Sequence, residues 1–351
     1  MQPAVANPSA PAPPDRLAPI MMRARLLNSW LQTRFPDAPF ALAPASEDAS
    51  FRRYFRLTLP DRTLIVMDAP PEHEDCAPFV KVARLFGEAG AHVPRVEAQD
   101  LGHGFLLLSD LGDSTYLAAL TEANADDLYR DAIDALIRIQ AASRPGVLPE
   151  YDAALLTREM RLFPEWYAGK HLGVGLSPAQ SGLLESLFAL VVQNSLAQGR
   201  VYVHRDYHSR NLMVASPNPG VLDFQDAVYG PVTYDLVSLF KDAYIAWEEE
   251  RVLDWVIRYW ERARRAGLPV GDDFARFYRD FEWMGVQRHL KVLGIFARLH
   301  HRDGKQRYLA DMPRVMAYLR KACGRYRELA PLLRLLDELE GRGDARVGYT
   351  F

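Results

Sequence analysis

The segment VYVHRDYHSRNLMV, residues 201–214, sets His204, Arg205, Asp206, Arg210 and Asn211 between apolar runs that read as short buried strands. A chain needs no such cluster to reverse direction. The segment therefore restricts the fold to one that holds a charged loop against a core. Downstream, GVLDFQDAVYG repeats the arrangement, with Asp223 following Val221 and Leu222 as if held at a strand end. A carboxylate, an amide oxygen and a second carboxylate brought to one cleft suit one chemistry well. Asn211 and Asp223 would hold Mg²⁺ across nucleotide phosphates, and Asp206 would accept the proton of an attacking hydroxyl. Aspartate and asparagine also cap turns. Both segments in this order, each beside a buried strand, favour the phosphoryl-transfer reading.

The surroundings of the loop divide the chain in two. Residues 20–35 have helical periodicity, with Leu27, Trp30 and Leu31 on one face. Strand signals follow at 51–59 and 63–69, then a helix from Pro78 to Ala89, then a hairpin from VPRVEAQD and GFLLLSD. After Asp110 helices dominate, interrupted only by the strand–loop–strand segment at 201–224. The expected architecture is α+β and two-lobed: a Pro- and Ala-rich disordered tail (1–19), a small antiparallel-sheet lobe for nucleotide (20–110), and a larger, mainly helical catalytic and substrate lobe (111–351).

Composition narrows the class. A net charge of −3 argues against nucleic acid or an anionic membrane as partner. The two cysteines, Cys76 and Cys323, offer neither a disulfide framework nor a zinc site. The N-terminus lacks the basic start and apolar stretch of a signal peptide, and no apolar run is long enough to span a bilayer. A cytoplasmic protein acting on a small molecule, monomeric or weakly dimeric, is the expectation.

The residues H-R-D-Y-H-S-R-N fit the kinase pattern H-x-D-x-x-x-x-N, and Leu222-Asp223-Phe224 stands where kinases carry D-F-G. His208 occupies the position of the usual protein-kinase lysine. In these features the chain resembles the aminoglycoside phosphotransferase and choline kinase-like superfamily, from about residue 20 onward. DASFRRYFRL, LIVMDAPPE, REMRLFPEWY, VHRDYHSRNLM, GVLDFQDAVYGPVTYDLVSL and RHLKVLGIFARLHHRDGK look most like the bacterial anomeric sugar kinases of peptidoglycan recycling. The resemblance implies ATP and Mg²⁺ as cofactors. It also implies transfer to the C1 hydroxyl of N-acetylmuramate or N-acetylglucosamine. A kinase for an aminoglycoside, choline or a similar metabolite stays open, as does a nucleotide-binding regulator without turnover.

The pattern departs from most kinases at the phosphate-binding lysine: TLIVMDAP offers Met67 and Asp68 instead. Either a reversed pair such as Asp68 with Lys81, or another cation, fills that role. Strand alternation puts Arg53 on the face of Phe55, Leu57 and Leu59, where a guanidinium needs an anion. That anion is either a nucleotide phosphate, with Ser46 and Ser50 as further donors, or a structural carboxylate. Backbone groups of Ser109, Asp110 and Leu111 are the natural partners of the base. Asp235 reads as a helix cap, and His204 and Arg205 as braces of the loop.

For the acceptor, Arg158, Glu159, Phe163, Trp166 and Tyr167 combine aromatic rings with hydrogen-bonding groups, which a sugar requires. Further on, Trp283, Val286, Leu290, Leu293 and Ala297 form an apolar stripe read as core. Gln287, Lys291 and Arg298 form a polar stripe beside it. With His208, Gln287 and Lys291 are candidates for a neutral or anionic acceptor, which the lactyl carboxylate of N-acetylmuramate fits.

Overall fold

The computed structural model describes residues 17–47 and 51–342. Contacts divide it into two compact units. One runs to Ala77 and resumes at Val96–Asp110; the other comprises Pro78–Arg95 and everything from Leu111 onward. The inserted helix, read from sequence with the first lobe, thus groups with the helical unit.

The first unit is helix α1 (Leu17–Gln32) on a five-stranded antiparallel sheet of β1 (Ala41–Glu47), β2 (Arg53–Thr58) and β3 (Thr63–Asp68) with two later strands. Leu27, Trp30 and Leu31 of α1 pack with Leu57, Leu59, Leu64 and Val66 in one buried cluster. Each such aliphatic side chain contributes roughly 1.5–3 kcal/mol on full burial. Helix α2 (Ala77–Glu88) interrupts the sheet in sequence, and β4 (Val96–Asp100) and β5 (Phe105–Ser109) complete it in the order β1-β2-β3-β5-β4.

The second unit adds α3 (Tyr116–Ala119), α4 (Ala125–Ala141) and α5 (Ala153–Met160), which runs into a π-helical stretch at Phe163–His171. Asp152 caps α5 by accepting from the Leu155 N–H. Helix α6 (Pro178–Leu196) begins with a full capping box between Ser177 and Gln180. Four short strands follow, β6 (Arg200–Val203), β7 (Leu212–Met213), β8 (Gly220–Val221) and β9 (Val228–Pro231), with β6 paired to β9 and β7 to β8. Helices α7 (Tyr234–Phe240), α8 (Glu249–Arg265), α9 (Phe274–His301), α10 (Met312–Arg325) and α11 (Ala330–Leu339) complete it.

The axis of this unit is α9. Residues Phe281–Gly294 are buried on every side of the helix, including Glu282, Gln287, Arg288, His289 and Lys291. A helix buried all round must satisfy its charges internally: Glu282 pairs with Lys241 and Arg325, Lys291 with Glu159, and Arg288 reaches the loop between β6 and β7. Gly294 lets α9 pass close to the turn between α5 and the π-helical stretch. A Cβ there would overlap the backbone of Leu162.

Candidate active site

The loop between β6 and β7 is held from beneath by Asp235. Its carboxylate accepts the backbone N–H of His204 at 2.7 Å and of Arg205 at 3.0 Å. The helix that carries it starts at Tyr234, so Asp235 sits in the first turn and reaches back to the loop; the reading of it as a cap is corrected. Burial pushes its carboxyl up to about 7, against the pull of those two N–H groups. His204 is fully buried, bonds the Leu222 carbonyl through Nε2 at 2.8 Å, and accepts the Asp206 N–H at 3.2 Å. Burial lowers its pKa to about 4, so the ring is neutral and ties the two short strand pairs together.

Arg205 and Asp223 are the non-glycine residues with left-handed backbone among those described, at φ 77° and 62°. Such conformations persist only where the surroundings impose them, and they concentrate at functional sites. Around Arg205 the imposition is visible. Its N–H goes to Asp235, its carbonyl accepts from Arg288 at 2.8 Å, and its guanidinium pairs with Glu159 at 2.5 Å.

Asp206 follows directly, with its side chain partly exposed and one oxygen 3.7 Å from Arg288. Burial opposes its ionisation, but Lys291, Arg288, His208 and Arg205 outweigh that and hold the carboxyl well below the ordinary range. The Asn211 amide nitrogen donates to the Asp206 carbonyl at 2.9 Å and to the Asp223 carboxylate at 3.3 Å. One side chain therefore joins the two segments that the sequence singled out. The other Asp223 oxygen accepts from Gln225 at 2.9 Å, and the residue is exposed.

Glu159, Gln287 and Lys291, expected beside the acceptor, are instead one another's partners in the interior. Lys291 pairs with Glu159 at 3.0 Å, and Gln287 donates to it at 3.1 Å; Tyr151 bonds it as well. Burial disfavours the Glu159 charge, yet Lys291 and Arg205 lower its pKa to about 2. Two cations around one carboxylate keep the cluster charged, and it braces Arg205 from α5 and α9. Arg158 lies outside this cluster, exposed on α5, and Trp166 is half-buried in the π-helical stretch. His208 is partly buried, edge-on to Tyr244.

In the first unit Arg53 stands directly across from Asp68 in the strand register and pairs with it, and Arg23 of α1 shares that carboxylate at 2.6 Å. The structural-carboxylate alternative is the one observed. Lys81 donates to the Val147 carbonyl at 2.6 Å and so does not pair with Asp68. Ser46 lies in β1 opposite Tyr54, and Ser50 falls outside the described residues. Ser109 ends β5, the Asp110 carboxylate holds Arg56 at 2.7 Å, and Leu111 is buried.

An antiparallel sheet unit, a helical unit with an H-x-D-x-x-x-x-N loop, and a second acid joined to it by asparagine define a kinase-like phosphotransferase. Residues 41–274 match the model of the phosphotransferase enzyme family, and the chain belongs to that family. Among its relatives, an N-acetylmuramate/N-acetylglucosamine kinase of Pseudomonas aeruginosa is 54% identical, covering 92% of this chain and 98% of its own length. A kinase of the same name from Neisseria meningitidis is 52% identical over 94% of this chain and the whole of its own. Solved aminoglycoside phosphotransferases share the fold. ADP-bound APH(2'')-Ib has a TM-score of 0.56 at 12% identity, covering 84% of this chain and 97% of that one. A thermostable APH(4)-Ia variant, in ternary complex with ADP and hygromycin B, has a TM-score of 0.54 at 16% identity, covering 83% and 97%.

Proposed function

We propose that the chain transfers the γ-phosphate of ATP to the C1 hydroxyl of N-acetylmuramate and N-acetylglucosamine in cell-wall sugar recycling. The observation that carries the chemistry is the Asn211 amide bonded to both Asp206 and Asp223. The substrate rests on the relatives of that name and on the resemblance that implies C1.

In this reading Asp206 accepts a hydrogen bond from the C1 hydroxyl and aims its oxygen at the γ-phosphorus. The bond from that oxygen to phosphorus forms as the bridge to the β-phosphate breaks, and ADP leaves. Lys291 and Arg288 keep Asp206 weakly basic, so it orients the hydroxyl first and takes the proton late, as phosphorus bonding acidifies it. Most of the rate enhancement then comes from positioning and electrostatics.

The donors of Asn211 and Asp223 suit a hard cation that keeps other positions for phosphate and water. Mg²⁺ bound there would neutralise charge on the phosphates. Backbone groups of Ser109 to Leu111 are our candidates for the adenine. We assign the reaction to the cytoplasm because it consumes ATP.

The test is an acceptor blocked at C1. The methyl glycosides of both N-acetyl sugars should yield no phosphorylated product, whereas the free sugars should. Phosphorylation of a methyl glycoside would contradict the C1 assignment.

A further inference from the structure

With Lys291 paired to Glu159 inside the protein, the basic stripe of α9 no longer accounts for an anionic acceptor. Another cation stands beside the catalytic loop. Arg210 immediately precedes Asn211, and among the described residues its guanidinium forms no ion pair or hydrogen bond. It lies 3.6 Å from the centroid of the Tyr244 ring and 6.0 Å from that of Tyr308. Tyr308 rests on Phe296 at 5.0 Å, and Tyr244 lies 6.1 Å from the same ring. This seat is tied to the loop: Asp242, itself buried, accepts the Ser209 N–H and the Tyr244 N–H, each at 2.9 Å. His208 also meets Tyr244 edge-on, with ring centroids 5.3 Å apart.

A guanidinium stacked on an aromatic face keeps its N–H edge available and loses little freedom when an anion docks against it. The tight turns His208 N–H to Asp206 carbonyl, 3.0 Å, and Asn211 N–H to His208 carbonyl, 2.9 Å, keep the Arg210 backbone near Asp206. We infer that Arg210, seated on Tyr244 and Tyr308, is a specificity residue that binds the carboxylate of an acidic N-acetyl sugar while its C1 hydroxyl meets Asp206. This rests on the sugar-kinase reading and deepens it.

The test compares kcat/KM for N-acetylmuramate, its methyl ester and N-acetylglucosamine in the wild-type chain and in Arg210→Met and Arg210→Lys. A charge-assisted bond of this kind is worth about 10- to 100-fold. In the wild type, esterification should lower kcat/KM by that order. In Arg210→Met the acid-to-neutral preference should fall by a similar factor and the esterification penalty should vanish, with Arg210→Lys intermediate. Equal use of acid and ester by the wild type overturns the inference, and needs no variant to fold. An unchanged preference in a folded Arg210→Met overturns it too, as does a rise in KM for MgATP alone, which would assign Arg210 to the phosphates. Turnover of neither sugar by the wild type overturns the sugar-kinase reading itself, and this inference with it.

Discussion

Arg288 donates to the carbonyl of Arg205 at 2.8 Å and stands 3.7 Å from the carboxylate of Asp206, so one guanidinium fixes both the backbone before the acid and the acid's charge. It issues from the buried stretch of α9 and also reaches the Tyr234 hydroxyl at 3.3 Å, next to Asp235, which holds the loop from below. The charge that keeps Asp206 ionised and the bonds that set its position thus share a source.

Replacing Asp206 by Asn removes the proton acceptor but preserves the shape of the loop. Turnover should fall by about 10²- to 10⁴-fold while nucleotide affinity is retained, as measured by steady-state kinetics and calorimetry on one preparation. Full activity in this variant would remove Asp206 from the chemistry.

Asp223→Ala should act on binding as well as on rate. Nucleotide affinity measured with Mg²⁺ should drop to the value measured without it, because the carboxylate proposed to hold the cation is gone. A variant whose affinity still rises on adding Mg²⁺ would place the cation elsewhere.

Lys291→Met leaves Glu159 buried with one cation fewer. Breaking a buried pair from one side destabilises by about 3–5 kcal/mol, which denaturant unfolding would detect. The double variant Lys291→Met, Glu159→Gln should recover part of that loss. A single variant as stable as the parent would show that Arg205 alone neutralises Glu159.

His204 and Glu159 should each cost stability in acid, in separate pH windows. Burial holds His204 near 4 against an ordinary 6.5, so between those values the unfolded chain takes up a proton that the folded chain refuses. His204 alone therefore costs at most about 1.4 kcal/mol per pH unit as pH is lowered across that window. Asp235, raised by burial to about 7 against an ordinary 3.8, opposes it because the folded chain binds that proton first. Glu159, opposed by burial but lowered to about 2 by Lys291 and Arg205, adds a second loss as pH drops from 4.5 towards 2. Urea unfolding at stepped pH measures both, and His204→Asn should remove the first loss, leaving a profile that rises relative to the parent as pH falls from 6.5 to 4. A profile that His204→Asn leaves unchanged between pH 6.5 and 4 would contradict the neutral, buried ring.

The fold and the loop were legible in sequence because their signals are local. Asp206 and Asn211 share one short loop, Asp223 follows one apolar pair, and the stripe from Trp283 to Ala297 repeats at helical spacing; all five of its residues are buried. Long-range pairing was not legible. Glu159 meets Arg205 and Lys291 across 46 and 132 positions of chain, and a polar stripe on a helix ordinarily marks the solvent side. Here the helix is buried all round, so the stripe turns inward. Arg53 shows the middle case. Alternation put it on the apolar face in need of an anion, but the partner depended on register, which sets Asp68 opposite. Strand β1, with the sequence ALAPASE, carries no alternating apolar pattern, and nothing in its sequence marks a strand.

The most direct measurement is Mg²⁺-dependent ADP release from ATP with N-acetylmuramate, N-acetylglucosamine, glucose, choline and kanamycin offered separately. The account expects strong release with the two N-acetyl sugars and none with choline or kanamycin. Release with choline or kanamycin alone, or ATP binding with no release for any acceptor, would contradict it.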